Sequence, residues 1–205
     1  PVFFDYPLGD FNQGRNSWQY LKEHRQEFFT SVQRLGSALQ TLHGRVLVVL
    51  QPEFNIPGIQ EHPAFGHMLA TAADILHKAE HPGLQILVGT CVGDFGNYEG
   101  VIDDRREWAL FAPALQPAIR HLDFLAFQEM RGGTHRNPQG EIKSYTPEQE
   151  GIDLLGKRTE AFSTYLQKQY HLPLLLAYVE ISTLTPPGQP AGTWETAAAR
   201  GYREI

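Results

Sequence analysis

Cysteine is almost absent: Cys91 is the single one in 205 residues. A lone thiol excludes an internal disulfide framework and any cysteine-built zinc knuckle. Because Cys91 follows an apolar run, it is expected in the core as a small buried side chain. Long apolar runs are missing as well. None approaches the roughly 20 residues of a membrane-spanning helix, so no transmembrane segment is expected. Positive charge is scarce and scattered, with 17 lysines and arginines against 23 acidic residues and a net charge of −6. Nucleic-acid affinity comes mostly from neutralising phosphates, so no nucleic-acid partner is expected. The turn after the first apolar run, DYPLGDFNQG, lacks the G-x-G-x-x-G spacing of a dinucleotide site. The nine histidines form neither H-E-x-x-H nor a finger pattern. They read as surface side chains, and no metal or cofactor is expected.

What is present is a regular alternation. Short runs rich in Val, Leu, Ile and Phe fall at 2–5, 46–50, 84–88, 122–127 and 174–179. Continuous apolar runs of that length suit strands covered on both faces. Helix-period segments separate them. The first opens at Ser17-Trp18 and carries Phe28, Val32, Leu35, Leu39 and Leu42 on one stripe, with Gly44 past its end. Others are expected at 67–78, from Asp103 or Asp104 to His121 with Pro113 and Pro117 kinking or breaking it, and from Thr146-Pro147-Glu148 onward. The last of these turns Ile152, Leu155, Phe162, Tyr165 and Leu166 inward, and a further helix begins near Thr193-Trp194. Such a β-α order means a parallel sheet with helical crossovers. The fold expected is α/β, a (β/α)8 barrel, because polar residues recur at the carboxyl end of each run. A full barrel needs about 250 residues and eight strands. Residues 1–205 are therefore expected to be one barrel domain, incomplete at both ends and covering about strands 3 to 7.

The strand ends supply the candidate chemistry. Glu53 closes the run VLVVLQPEFN and Glu180 the run LPLLLAYVEIST. Two carboxylates at one barrel mouth can act on a glycosidic bond as nucleophile and as acid/base. Asn55, Asp94, Tyr98, Gln128, Glu129, Asp5 and Trp194 are candidates to bind the substrate, with Trp18 and Tyr145 as further stacking platforms. Asp94 and Tyr98 lie in the glycine-flanked loop VGDFGNYEG, a composition that suits hydroxyl binding and ring stacking; an Asx turn is the alternative. For Gln128-Glu129, strand alternation can instead bury one of the two. The loop from Arg131 to Arg136 is the nearest thing to an anion-binding segment.

The order of these residues resembles the retaining (β/α)8 glycosidases of the 4/7 superfamily, with acid/base at the end of strand four and nucleophile at the end of strand seven. That resemblance makes Glu53 the acid/base and Glu180 the nucleophile, three strands apart. Pro52 stands where those enzymes commonly have asparagine. It implies a hydrolase that degrades a poly- or oligosaccharide without a cofactor, secreted to the extracellular space or periplasm. Two alternatives stay open: an inverting glycosidase using Glu129 or Asp94, and a non-catalytic barrel that binds carbohydrate or scaffolds an assembly. The oligomeric state is not legible in the sequence.

Overall fold

The computed structural model describes residues 2–5, 17–136 and 141–205, with the backbone alone at 2–5, 17 and 136. The elements are β1 (Val2–Asp5), α1 (Ser17–Glu23), α2 (Arg25–Leu39), β2 (Gly44–Leu50), α3 (Pro63–His77), β3 (Leu84–Gly93), α4 (Arg105–Trp108) and α5 (Ala112–Leu115). A 3-10 segment, Gln116–His121, leads into β4 (Phe124–Arg131), β5 (Thr134–Arg136) and β6 (Ile142–Ser144). A second, Ile152–Leu154, precedes α6 (Leu155–Tyr170), β7 (Leu174–Ile181) and α7 (Thr193–Gly201).

Five strands share one sheet in the order β1-β2-β3-β4-β7, and β5 and β6 form a separate antiparallel pair. β1 and β2 are parallel with Val2 opposite Leu47, as are β2 and β3 with Gly44 opposite Leu84. The backbone bonds Asp123 N–H to Val88 O and Asp94 N–H to Gln128 O rise together in number along β3 and β4. Leu125 N–H to Pro173 O and Ser182 N–H to Arg131 O do the same for β4 and β7. Parallel neighbours require that pattern. The chain is thus mixed α/β with a parallel sheet.

Two compact units divide the chain. The first comprises Pro1–Gly93, Ala109–Phe127 and Tyr170–Ala177, the second Asp94–Trp108, Gln128–Gln169 and Tyr178–Ile205. The first has an apolar interior. Val46, Val48, Val49 and Leu50 of β2 are all fully buried, as a strand covered on both faces demands. Val49, Cys91, Phe124 and Ala126 form one cluster, with Leu47, Leu87, Leu175 and Ala177 against it. Glycine permits the closest approaches: a Cβ at Gly89 would lie 2.6 Å from the Phe124 ring, and one at Gly66 would collide with Ala114 O. Pro63 opens α3, and Phe65, Met68, Leu69, Ala72, Ala73 and Leu76 bury its inner stripe. The second unit packs Trp194, Ala197 and Ala198 of α7 against Ile152, Leu155 and Ile181.

The segment to His121 breaks as expected at its prolines, into three pieces, because Pro113 and Pro117 offer no N–H and each starts a new turn. Two other helical expectations are corrected. The segment from Ser17 splits at His24, whose ψ of 15° leaves the helical range. Thr146-Pro147-Glu148 opens no helix: residues 147–150 form a turn, and Gly151 at φ 60° cannot continue a right-handed helix.

Candidate functional site

In the first unit, the chain leaves β2 through an unusual backbone. Gln51 (φ 45°) and Glu53 (φ 60°) are two of three non-glycine residues with positive φ among the described residues, the third being His171. A side chain there costs about 1–2 kcal/mol, so neighbouring contacts must hold it. The Glu53 N–H donates to Cys91 O at 3.0 Å. The Thr90 hydroxyl donates to Leu50 O at 2.8 Å. Asn55 clamps Gly93 from both sides, Nδ2 donating to Gly93 O and Gly93 N–H donating to Oδ1, each at 2.8 Å. Phe54 is fully buried, its ring centroid 5.1 Å from that of Phe65. These anchors leave Glu53 half-buried. Cys91 is buried as expected, and burial, then the Glu53 charge, push its thiol well above the ordinary range. Asn55, expected to meet substrate, spends its amide on Gly93. The buried Gln51 amide has no hydrogen-bond partner among the described residues.

In the second unit, the strand-end carboxylates form a closed ionic network. Asp94 is 1% exposed. Its Oδ1 accepts from Trp108 Nε1 at 2.8 Å and Arg158 Nη2 at 2.7 Å. Its Oδ2 accepts from Arg158 Nε at 2.5 Å and Arg131 Nη2 at 3.2 Å. Arg131 Nη2 also donates to Glu129 Oε2 at 2.8 Å. Tyr98 lies under both guanidiniums, at 3.8 Å from Arg131 and 4.8 Å from Arg158, and its hydroxyl donates to Asp94 O at 2.6 Å. Burial drives the Tyr98 phenol above its usual range.

Glu129 is fully buried, and Oε1 accepts no hydrogen bond among the described residues. Burial first, then the Asp94 charge, raise its pKa against the pull of Arg131. The Thr159 hydroxyl also acts to lower that pKa, but its donor is committed to Leu155 O at 2.8 Å. Such a carboxyl favours its neutral form.

The remaining candidates divide. Gln128 is fully buried together with Glu129, where alternation predicted burial of one, and its amide donates to Met130 Sδ at 3.3 Å. The reason is that β4 continues to Arg131 with both faces covered. Trp194 is fully buried in the α7 core, so neither ring face is open to a sugar. Trp18 is half-buried and stacks on His62, and Tyr145 is half-buried with its ring 5.2 Å from that of His135. Glu180 is exposed near the end of β7. The backbone of Asp5 ends β1, and its side chain lies outside the described residues. Arg131 is 3% exposed, so it belongs to the network and not to an anion-binding loop.

Sequence reasoning missed Arg158, Trp108 and Glu150. Arg158 carried a readable signal. It falls three residues after Leu155 and four before Phe162, on the inward stripe of α6, and a charge there needs a buried partner. No group of three or more His, Cys, Asp or Glu that could hold a metal occurs among the described residues. Nor is any described helix long and apolar enough to cross a membrane.

No family model matches the chain, and no curated protein matches it. Among solved structures the chain is similar to PbGH5A, a glycoside hydrolase family 5 enzyme from Prevotella bryantii B14. The identity is 11% and the TM-score 0.42, over 99% of this chain and 70% of that one. So distant a likeness leaves function to be argued from the residues themselves.

Proposed function

We propose that this chain is the greater part of a (β/α)8 glycoside hydrolase that cleaves a poly- or oligosaccharide with retention, Glu53 acting as acid/base and Glu180 as nucleophile. The observation that carries the reading is the backbone at the end of β2. Two side-chain-bearing residues take the left-handed conformation within three positions, and Glu53 is one of them. Strain of this kind gathers where a group must be aimed, and four anchors around Glu53 offset it. The strand order adds support. Glu180 belongs to the third strand after β2 in the sheet, the step that the acid/base and nucleophile of the 4/7 barrels observe.

Burial argues against the other carboxylates. Asp94 and Glu129 are closed off and engaged by arginines, so the inverting alternative would need the network to open. Glu180 is exposed and Glu53 half-buried, which leaves both available to solvent-borne substrate. A polysaccharide substrate agrees with action outside the cytoplasm.

The test is hydrolysis of a glycan panel by wild type, Glu53→Gln and Glu180→Gln, with the anomer of the first product followed by NMR. Wild type is expected to cleave a member with retained configuration, and each variant to lose that activity. Equal cleavage by Glu180→Gln, an inverted first product, or a wild type inactive on every member that it binds would overturn the assignment. The carboxyl separation gives a second check: about 5–5.5 Å for retention against about 6.5–9.5 Å for inversion.

A further inference from the structure

Within the second unit, a partly enclosed cavity of about 310 Å³ lies between the loop after β3, the end of β4 and the turn after β6. That volume is at the lower end of ligand clefts. Phe95, Tyr98 and Tyr145 give it aromatic wall, and Asn97, His135, Gln149 and Glu150 give it polar edge. Glu150 is the buried anchor, at 2% exposure. His135 Nε2 reaches its Oε2 at 2.9 Å and Gly132 N–H donates to the same oxygen at 3.4 Å. Both bonds fall on Oε2, which leaves Oε1 for a ligand donor.

The amides on the rim supply the complementary groups. Asn97 Oδ1 accepts from Glu99 N–H at 3.3 Å, and Gln149 Oε1 accepts from Thr146 N–H at 2.9 Å. Their acceptor ends are thus engaged within their own turns, and their NH2 ends remain as donors. One carboxylate acceptor beside two amide donors, set among aromatic rings, matches adjacent hydroxyls on a puckered ring.

Charge decides which polyol. The cavity's carboxylate is already opposed by His135. A ligand cation would find that charge already countered. A ligand anion would find no lysine or arginine in the lining.

We propose that this cavity is a binding site for one residue of a neutral glycan, held by Glu150, Asn97 and Gln149 against the Phe95 and Tyr145 rings. The site shares with the proposed hydrolase only its class of ligand. It does not depend on Glu53 or Glu180.

Binding is measured by ligand-observed NMR and calorimetry with neutral cello-, manno- and xylo-oligosaccharides, cationic chitosan oligomers and anionic oligogalacturonates. A neutral oligosaccharide should bind in preference to both charged series. Glu150→Gln, Gln149→Ala and Tyr145→Ala should each weaken it by about tenfold or more. Gln149 is exposed, so its variant tests the site even where Glu150→Gln fails to fold. Preference for either charged series, no neutral glycan bound, or unchanged affinity in folded Gln149→Ala and Tyr145→Ala overturns the proposal. Binding that responds to these variants in a protein without hydrolytic activity upholds the cavity and removes only the catalytic pair.

Discussion

The two compact units are held together by different physics. In the first, strands β2 and β3 and helix α3 bury hydrocarbon on hydrocarbon, and polar contacts serve mainly to fix the backbone after β2. The second has an apolar α7 core too, but beside it two carboxyls and two guanidiniums are buried around Tyr98 and Trp108. Removing an apolar side chain costs its transfer energy and a cavity. Removing one member of a buried ionic group costs more than the pair itself was worth, because its partner stays buried and uncompensated. The first unit should therefore answer to volume, and the second to charge and pH.

Arg158→Met is the severest test of that contrast. It takes two bonds from Asp94 and is expected to destabilise by about 3–5 kcal/mol in urea unfolding, with amide protection lost first in the second unit. A cost below about 1 kcal/mol would show that the ionic group stabilises little. Gly89→Ala comes next. The new methyl meets the Phe124 ring, so a loss of about 1–3 kcal/mol is expected, the same at every pH between 5 and 9.

Glu129 supplies the pH signature. Its raised pKa means that the folded state holds a proton that the unfolded chain releases. Stability is then full below the unfolded value and falls as pH rises toward the folded one, by at most about 1.4 kcal/mol per pH unit. Glu129→Gln should flatten that slope in unfolding curves taken across the range.

Glu53→Gly moves the other way. It relieves the left-handed strain and is expected to stabilise by about 1 kcal/mol while hydrolysis is lost; a destabilised variant would argue that Glu53 is structural. The smallest effect belongs to His135, whose pKa is raised by its bond to Glu150. Its contribution is full below the unfolded histidine value and disappears as pH rises through the folded one. His135→Gln should remove a few tenths of a kcal/mol from that window, since the ring is half in water.

The sheet was legible because its strands are short continuous apolar runs. Their carboxyl ends were not. β3 continues to Gly93 and β4 to Arg131, where polar side chains interrupt the apolar pattern but find partners inside the unit. The β5–β6 hairpin escaped notice because strands of three residues are too short to show a period of two. For the candidate site, Glu53, Glu180 and Asp94 were singled out because polar residues at strand ends stand out. Which of them is open and which closed depended on Arg158, a residue 64 positions from Asp94 that only folding brings to it. Trp194 shows the converse: a tryptophan at a helix start reads equally well as a platform or as a core residue, and α7 uses it as core.

The thiol of Cys91 offers one more use. It is buried in the first unit, and burial together with the nearby Glu53 charge keeps it from ionising. A thiol-specific reagent can reach it only when that part of the molecule opens, since the thiolate is the reacting form. Its modification rate in the native protein therefore serves as a clock for opening around β3. Run with and without glycan, that clock reports whether ligand in the second unit slows the breathing of the first.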